Sequence, residues 1–594
     1  AICQREAGQP EESLRTLKHL LSNHVRLDND MLLEAYLIAF KTCLALNQAN
    51  AGAAYLRQAL MKLDVHLDTI ERLHYRRGFR ERFVPRFKTL IPELPSNGAV
   101  DSILPLLSLI KSSMMGDWLS YLDWIESVMD SPDIDSVKKR ELKSAVDVVM
   151  KAGAPVLYGY REKYDDPFES LGPPGGMVGS RANRDTLANP WHNLNLITQE
   201  LMNGSEIRPY SRSSLFSVEM HLRDQLTLGN YLLLQFNIGK KVYFVALWKE
   251  SYRIVTTDNE PFVAFLVALR NYAAQVDSRD VLVKSLESTA ARLREILAPI
   301  VTEIATTAPP NVIIMLDALG EMCPIHMSLF EDQRIRDLVM ANRLVVRHCP
   351  IAYPGQLGDN RGNFLGLFDS RQELSLPGEE INMVLRQLEP QEQLIADLSN
   401  EGEQKWQDWD NFDIVHLASH GHSIAIFTDP WFASLTSGVQ LAKCQRHLSK
   451  YQTSLFFLNA CHGSSVTNRN YFNVYRTDEN LGFATLCLLN RRACVIAPTW
   501  GTFDVVAYVF AHIFYSTLMS GAAIPFAYSR SVARLAQLTK EEITEILQQV
   551  QAPIERSRLL SKFAQTNQDR PLANSYVTGA YVLTSLFPVS QVDS

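Results

Sequence analysis

The alternation of apolar and polar positions divides the chain into a helical front and an α/β remainder. From residue 1 to about 150, apolar residues recur at helical spacing: Leu14, Leu17 and Leu21, then Leu56 and Leu60, then Leu119, Leu122 and Ile125. Gly8-Gln9-Pro10-Glu11-Glu12-Ser13 reads as the turn into the first of these helices. Gln48 stands to Leu56 and Leu60 as Gln9 stands to Leu17 and Leu21, and Gly116-Asp117-Trp118 reads as a third such turn. Ala53, Ala54 and Ala59 let paired helices approach closely. A stacked repeat and a generic helical bundle both fit this pattern. Residues 151–228 read as a connector, because Leu171-Gly172-Pro173-Pro174-Gly175-Gly176-Met177-Val178-Gly179 cannot hold a regular element. That loop is read either as mobile, changing on activation, or as passive surface.

From 229 the period changes. Tyr231 to Asn237 and Val242 to Trp248 predict paired strands across Gly239-Lys240-Lys241. Helices are predicted over Phe262 to Ala274 and Val281 to Leu297, and strands at Val312 to Leu316, Leu344 to Arg347, Phe364 to Phe368 and Ala493 to Ala497. A helix with a broad apolar stripe runs from Asp504 to Met519. Two further runs organise this half. One ends Ile414-Val415-His416-Leu417-Ala418-Ser419-His420-Gly421-His422; the other ends Leu455-Phe456-Phe457-Leu458-Asn459-Ala460-Cys461-His462-Gly463. Apolar on both faces, they suit interior strands of a parallel sheet.

Ligands of open α/β sheets bind beyond the carboxyl ends of the strands. If these two strands are neighbours, His420 and Cys461 leave the sheet at one rim, and an imidazole beside a thiol is the minimum for an activated sulfur nucleophile. A free thiol with a pKa of about 8.5 is only a few per cent ionised at neutral pH, so a base is needed. The structural alternatives are plain. A Cys after an apolar strand is often an inert small hydrophobe, and Cys3, Cys43, Cys349, Cys444, Cys487 and Cys494 are read that way. His416 falls within its strand and is read as structural. His422 and His462 are read either as substrate contacts or as groups that tune the pair. A zinc site from His420, His422, Cys461 and His462 is compositionally conceivable but disfavoured, because the strand-end pattern already accounts for two of the four.

Ser419-His420-Gly421 resembles the end of the histidine strand of caspase-like cysteine peptidases, and Leu455 to Gly463 resembles their nucleophile strand. Asn480-Leu481-Gly482-Phe483-Ala484, Ala493 to Trp500, Leu376-Pro377-Gly378-Glu379-Glu380 and Ala573 to Leu583 resemble elements of one branch, the CHAT domain (caspase HetF associated with tetratricopeptide repeats). The stretch from residue 1 to about 150 resembles tetratricopeptide repeats, at a spacing near but not at their usual period of about 34 residues. The resemblance implies TPR-like helical repeats over 1–150, a connector over 151–228 and, over 229–590, an α/β caspase-like CHAT protease domain with a mostly parallel sheet. It implies Cys461 as nucleophile, His420 as general acid/base, and the N–H groups of Gly421 and Cys461 as oxyanion hole. Asn459 matches a position where Arg- or Lys-specific relatives such as metacaspases carry Asp. Trp500 and Asp504 match residues that flank the substrate cleft, although Gly501-Thr502-Phe503 departs from the family's Pro-aliphatic-Asp. The P1 preference stays open, since Asp504 could restore a basic one. No cofactor and no metal are implied.

Composition narrows the rest. At 594 residues the chain needs two to four domains, with an N-terminal part expected before residue 1. A net charge of −7, evenly spread, argues against direct nucleic-acid binding. Scattered cysteines and the lack of a long apolar stretch or signal peptide predict a cytoplasmic protein without membrane contact. One local exception is Arg72, Arg76, Arg77, Arg80, Arg82, Arg86 and Lys88, interleaved with Tyr75, Phe79, Phe83 and Phe87. It reads either as a docking face for an acidic partner or RNA, or as a solvated helix face over core aromatics. Two functions are carried forward. The first is a cysteine endopeptidase cleaving a protein substrate, switched on by a protein or ribonucleoprotein partner at the repeats, as in prokaryotic immune or stress systems. The second is a catalytically silent scaffold.

Overall fold

The computed structural model describes the chain outside residues 23–28, 70–82, 112–113, 154–192, 195, 199, 202–214, 274–277, 318–322, 356, 369–375, 398–410, 420–433, 437–438, 441–452, 461–482, 565–567 and 589–594. It divides into two units: Ala1–Asp224 with Ile351–Tyr353, and a second that begins at Gln225 and holds most of the remaining chain.

The first unit is helical: α1 (Ile2–Glu6), α2 (Pro10–Ser22), α3 (Asn29–Ala45), α4 (Ala49–Thr69), α5 (Leu104–Lys111), α6 (Met114–Asp130) and α7 (Ser136–Gly153) are its main helices among the described residues. The turns α1–α2 and α3–α4 are the same turn twice. Gln9 N–H bonds back to Gln4 O at 2.8 Å, and Gln48 N–H to Cys43 O at 2.8 Å; Gly8 N–H reaches Arg5 O and Asn47 N–H reaches Leu44 O. Both caps are left-handed, with Gly8 at φ 75° and Asn47 at φ 56°, a conformation Gly and Asn enter more readily than other residues. Leu17 and Leu21 of α2 are buried, as are Leu56 and Leu60 of α4. A Cβ at Gly52 would meet Phe40 Cδ2 at 3.0 Å, so the close crossing of α3 and α4 depends on that glycine. The third copy expected at Gly116-Asp117-Trp118 is corrected: these residues lie inside α6. Leu119, Leu122 and Ile125 keep their helical period across it, and an interior Gly costs only about 1 kcal/mol.

Of the basic run, Arg72 to Arg82 lies outside the described residues, as does the 171–179 loop. Phe83 and Phe87 are buried, and Arg86 pairs with Glu34 and lies over the Phe83 ring. Lys88 is buried, so in this part of the run only Arg86 is a solvated cation over core aromatics.

The second unit is α/β. Its strands are β1 (Tyr231–Ile238), β2 (Lys241–Trp248), β3 (Ser251–Asp258), β4 (Asn311–Met315), β5 (Val345–His348), β6 (Asn363–Phe368), β7 (Glu392–Asp397), β8 (Ile414–Ser419), β9 (Leu455–Ala460), β10 (Cys494–Pro498) and β11 (Tyr581–Thr584). They lie in one mixed sheet in the order β3-β2-β1-β4-β5-β11-β10-β9-β8-β6-β7. The β1–β2–β3 edge and the β10–β11 pair are antiparallel; the remaining neighbours are parallel. β1 and β2 turn at Gly239, whose φ of 60° suits a tight hairpin. The helices that matter here are α8 (Glu260–Ala273), α9 (Arg279–Thr307), α10 (Pro377–Leu388), α11 (Asp504–Met519) and α12 (Ile524–Leu535). α9 continues past Leu297 and through Pro299, because Ile300 and Ile304 extend its buried stripe.

The sheet centre is dry. All six residues of β8 and all six of β9 are buried. The antiparallel β11, from nearly the end of the chain, lies between β10 and β5 and so joins the two halves of the sheet.

Candidate active site

β8 and β9 are parallel neighbours in register from Ile414↔Leu455 to Ser419↔Ala460, so their carboxyl ends lie side by side. In sequence, His420 follows Ser419 and Cys461 follows Ala460. His420, Gly421, His422, Cys461 and His462 themselves lie outside the described residues, as does Cys444.

Directly before these ends the structure holds a buried polar network. Glu380, in the first turn of α10, is buried, and its Oε1 accepts hydrogen bonds from two strands. One comes from His416 Nε2 on β8 at 2.7 Å, the other from Asn459 Nδ2 on β9 at 2.6 Å. The other ring nitrogen of His416, Nδ1, lies 2.9 Å from the Tyr515 hydroxyl of α11. An Nε2–H imidazole satisfies both partners, donating to Glu380 and accepting from Tyr515. Tyr581 of β11 donates to Asn459 Oδ1 at 2.6 Å. Phe457 stacks on the His416 ring at 4.7 Å and 8°, and Phe510 stacks on Tyr581 at 3.9 Å and 14°. Burial, with the Glu380 carboxylate adding to it, holds the Tyr515 phenol well above its ordinary range, so it serves as a neutral hydroxyl. Tyr508 is pushed up to about 12, chiefly by burial.

Asn459 is thus buried with both ends of its amide engaged. Trp500 is fully buried: its indole N–H donates to Tyr576 O at 2.9 Å and its ring meets Phe265 edge-on at 5.8 Å. Asp504 is the first residue of α11 and half-buried. Among the described residues the network brings Asn459 together with His416, while Trp500 bonds to Tyr576 instead. Glu380 and Tyr515 were missed as site residues. The Leu-Pro-Gly-Glu-Glu element was a signal for the first; nothing local marks the second.

The remaining described thiols fit the inert reading, with one correction. Cys43, Cys323, Cys349, Cys487 and Cys494 are buried, but Cys3 is exposed because α1 buries none of its residues. Burial pushes the Cys494 thiol up to about 12 and Cys487 higher still, the opposite of what a nucleophile needs. His326, buried, and His348, half-buried, lie 3.2 Å apart, and His326 is held to about 4 chiefly by burial. No group of three metal-binding side chains occurs among the described residues. None of the described helices is long and apolar enough to cross a membrane.

No protein-family model matches the chain, and no curated protein matches it. Solved structures do. Two crystal structures of the Saccharomyces cerevisiae separase–securin complex match at 9% and 10% identity, covering 97% and 94% of this chain, with TM-scores of 0.39 and 0.38. The chain spans about half the length of those chains, 48% and 50%. The Arg-specific cysteine proteinase gingipain R matches at 10% identity over 52% of this chain and 68% of its own, with a TM-score of 0.30.

Proposed function

We propose that the chain is a caspase-like cysteine endopeptidase in which Cys461 attacks a peptide carbonyl and His420 takes up and returns the proton. The observation that carries this reading is the register of β8 and β9. Two interior parallel strands end level with each other at Ser419 and Ala460, and the next residue of each is an imidazole or a thiol. The carboxyl rim of such strands is where α/β sheets place their sites. His420 would draw the thiol proton and later protonate the leaving amine. The N–H groups of Gly421 and Cys461 would face the oxyanion, the lack of a Cβ at Gly421 letting substrate come close.

Asn459 is buried and its amide is held between Tyr581 and Glu380, an environment that favours a role in the core over contact with a P1 side chain. The helical unit is the surface we assign to an activating protein or ribonucleoprotein, within a prokaryotic immune or stress-signalling system. Cys461→Ala tests the core of the proposal. It should abolish cleavage of a peptide library and labelling by a thiol-directed peptide warhead, with the melting midpoint within a few degrees of wild type, since losing one sulfur costs roughly 1–3 kcal/mol at most. Cleavage that persists in the purified variant excludes the dyad and leaves the scaffold reading.

A further inference from the structure

We infer that Glu380 is the positioning residue of this site: one oxygen of its buried carboxylate clamps the histidine strand to the cysteine strand just before they reach the rim. The inference rests on the reading of His420 and Cys461 as a dyad. Glu380 Oε1 receives His416 Nε2 at 2.7 Å and Asn459 Nδ2 at 2.6 Å, from strands that are direct neighbours. His416 precedes His420 by four positions along the strand direction, and Asn459 precedes Cys461 with only Ala460 between.

Packing alone does not call for this arrangement. The surroundings are Ile414, Ala418, Leu455, Phe457 and Phe514, all buried, and an apolar pair would join two strands there without the desolvation that a carboxylate suffers. An acceptor-only group between two donors does something an apolar contact cannot. The backbone ladder already spaces the two strands; the carboxylate adds a side-chain tie that resists their shear and twist at this level, and misplacement of reacting groups by about an ångström can cost on the order of 100-fold in rate. The clamp is braced from outside as well. Tyr515 of α11 holds the far side of His416, and Tyr581 of β11 holds the far side of Asn459. Side chains from α10, α11 and β11 thus converge on the His416–Glu380–Asn459 unit.

The charge has its own consequence. A buried anion favours the protonated form of its neighbours, as Tyr515 already registers. Removing that charge lowers the pKa of imidazolium and thiol alike, so the direction of the shift does not depend on which of them titrates first.

The experiment uses the full chain with Glu380→Gln, which keeps the shape and one acceptor but removes the charge. Cys461 alkylation by iodoacetamide is followed from pH 5 to 9 by peptide mass spectrometry, beside kcat and KM for a cleaved peptide, each variant compared with wild type in the presence of the same activating cell extract. Expected are an unchanged melting curve, a kcat lower by roughly 10–100-fold with KM within about twofold, and an alkylation midpoint lower by about half a pH unit. Tyr581→Phe removes a brace but no charge. It should lower kcat less and leave the midpoint where it is, and it stands in if Glu380→Gln does not fold. Wild-type kcat in either folded variant, or an unmoved midpoint in Glu380→Gln, overturns the clamp. Cys461→Ala separates the two readings. If it abolishes cleavage while Glu380→Gln cleaves normally, only the clamp is wrong; if cleavage survives Cys461→Ala, the dyad is wrong and the clamp has nothing to position.

Discussion

Asn459 lies on β9 with Tyr581 donating to its oxygen and Glu380 accepting from its nitrogen. The resemblance to Arg- and Lys-specific relatives implied that an Asp here would favour substrates with basic P1 residues. The geometry points elsewhere, because Asn459→Asp would set a second carboxylate against Glu380 Oε1, where the amide nitrogen now sits at 2.6 Å. Two buried carboxylates at that distance cannot both ionise, so one must hold a proton or the strands must part. Asn459→Asp is therefore expected to destabilise the protein by about 2–3 kcal/mol at neutral pH. The loss should shrink as the pH falls toward 5 and the shared proton is supplied. Thermal melts at pH 5 and 7.5 check this. Equal midpoints to wild type at both would mean that the amide is not held as described, and would reopen Asn459 as a specificity residue.

At the scale of elements, the local pattern was a good guide wherever one period ran uninterrupted. The helix expected from Asp504 to Met519 is α11 over those same residues, and the runs at β8 and β9 are interior strands as their two-sided apolarity required. β3 was missed, since Ser251-Tyr252-Arg253-Ile254 alternates too weakly to stand out from a loop. β11 was seen only as part of the Ala573 to Leu583 resemblance, and its insertion between β10, to which it is antiparallel, and β5, to which it is parallel, is set by topology. That placement makes it more than a tail. Ending the chain at residue 578 should remove the central strand, expose both neighbours' backbone groups and the aromatic face around Phe510, and prevent folding of the second unit. Soluble expression and circular dichroism of the truncated chain check it; a folded, cooperative truncation would show that β10 and β5 close on each other.

For the whole molecule, the question is what the helical unit does for the α/β unit. The doubled turn at Gly8-Gln9 and Asn47-Gln48 shows one helix–turn–helix design used twice, and stacked designs of that kind present extended surfaces to partners. Active-site loops come from the low-stability end of a fold. A partner that binds the ordered state more tightly by about 3–5 kcal/mol could raise its population from under one per cent to most of the protein. The full chain is accordingly expected to be nearly inactive alone and to gain peptidase activity in cell extract, whereas residues 225–594 alone should not respond to extract. Peptide cleavage by both, with and without extract, decides it. High activity of the full chain alone, unchanged by extract, would reduce the helical unit to recruiting substrate.

Element types, the dry centre of the sheet and the candidate pair His420 and Cys461 could be read from the chain alone, because periodicity and strand-end composition are local properties. The pairing of β8 with β9 was only a condition in that reading, and the register that levels Ser419 with Ala460 comes from the fold. The polar network was beyond reach for the same reason. His416 lies 36 residues from Glu380, Asn459 lies 79 from Glu380, and Tyr581 lies 122 from Asn459. No local pattern encodes which buried donor will face which acceptor across such separations. That was decided when α10, α11 and β11 packed against two strands whose few polar side chains had to find partners or leave the core.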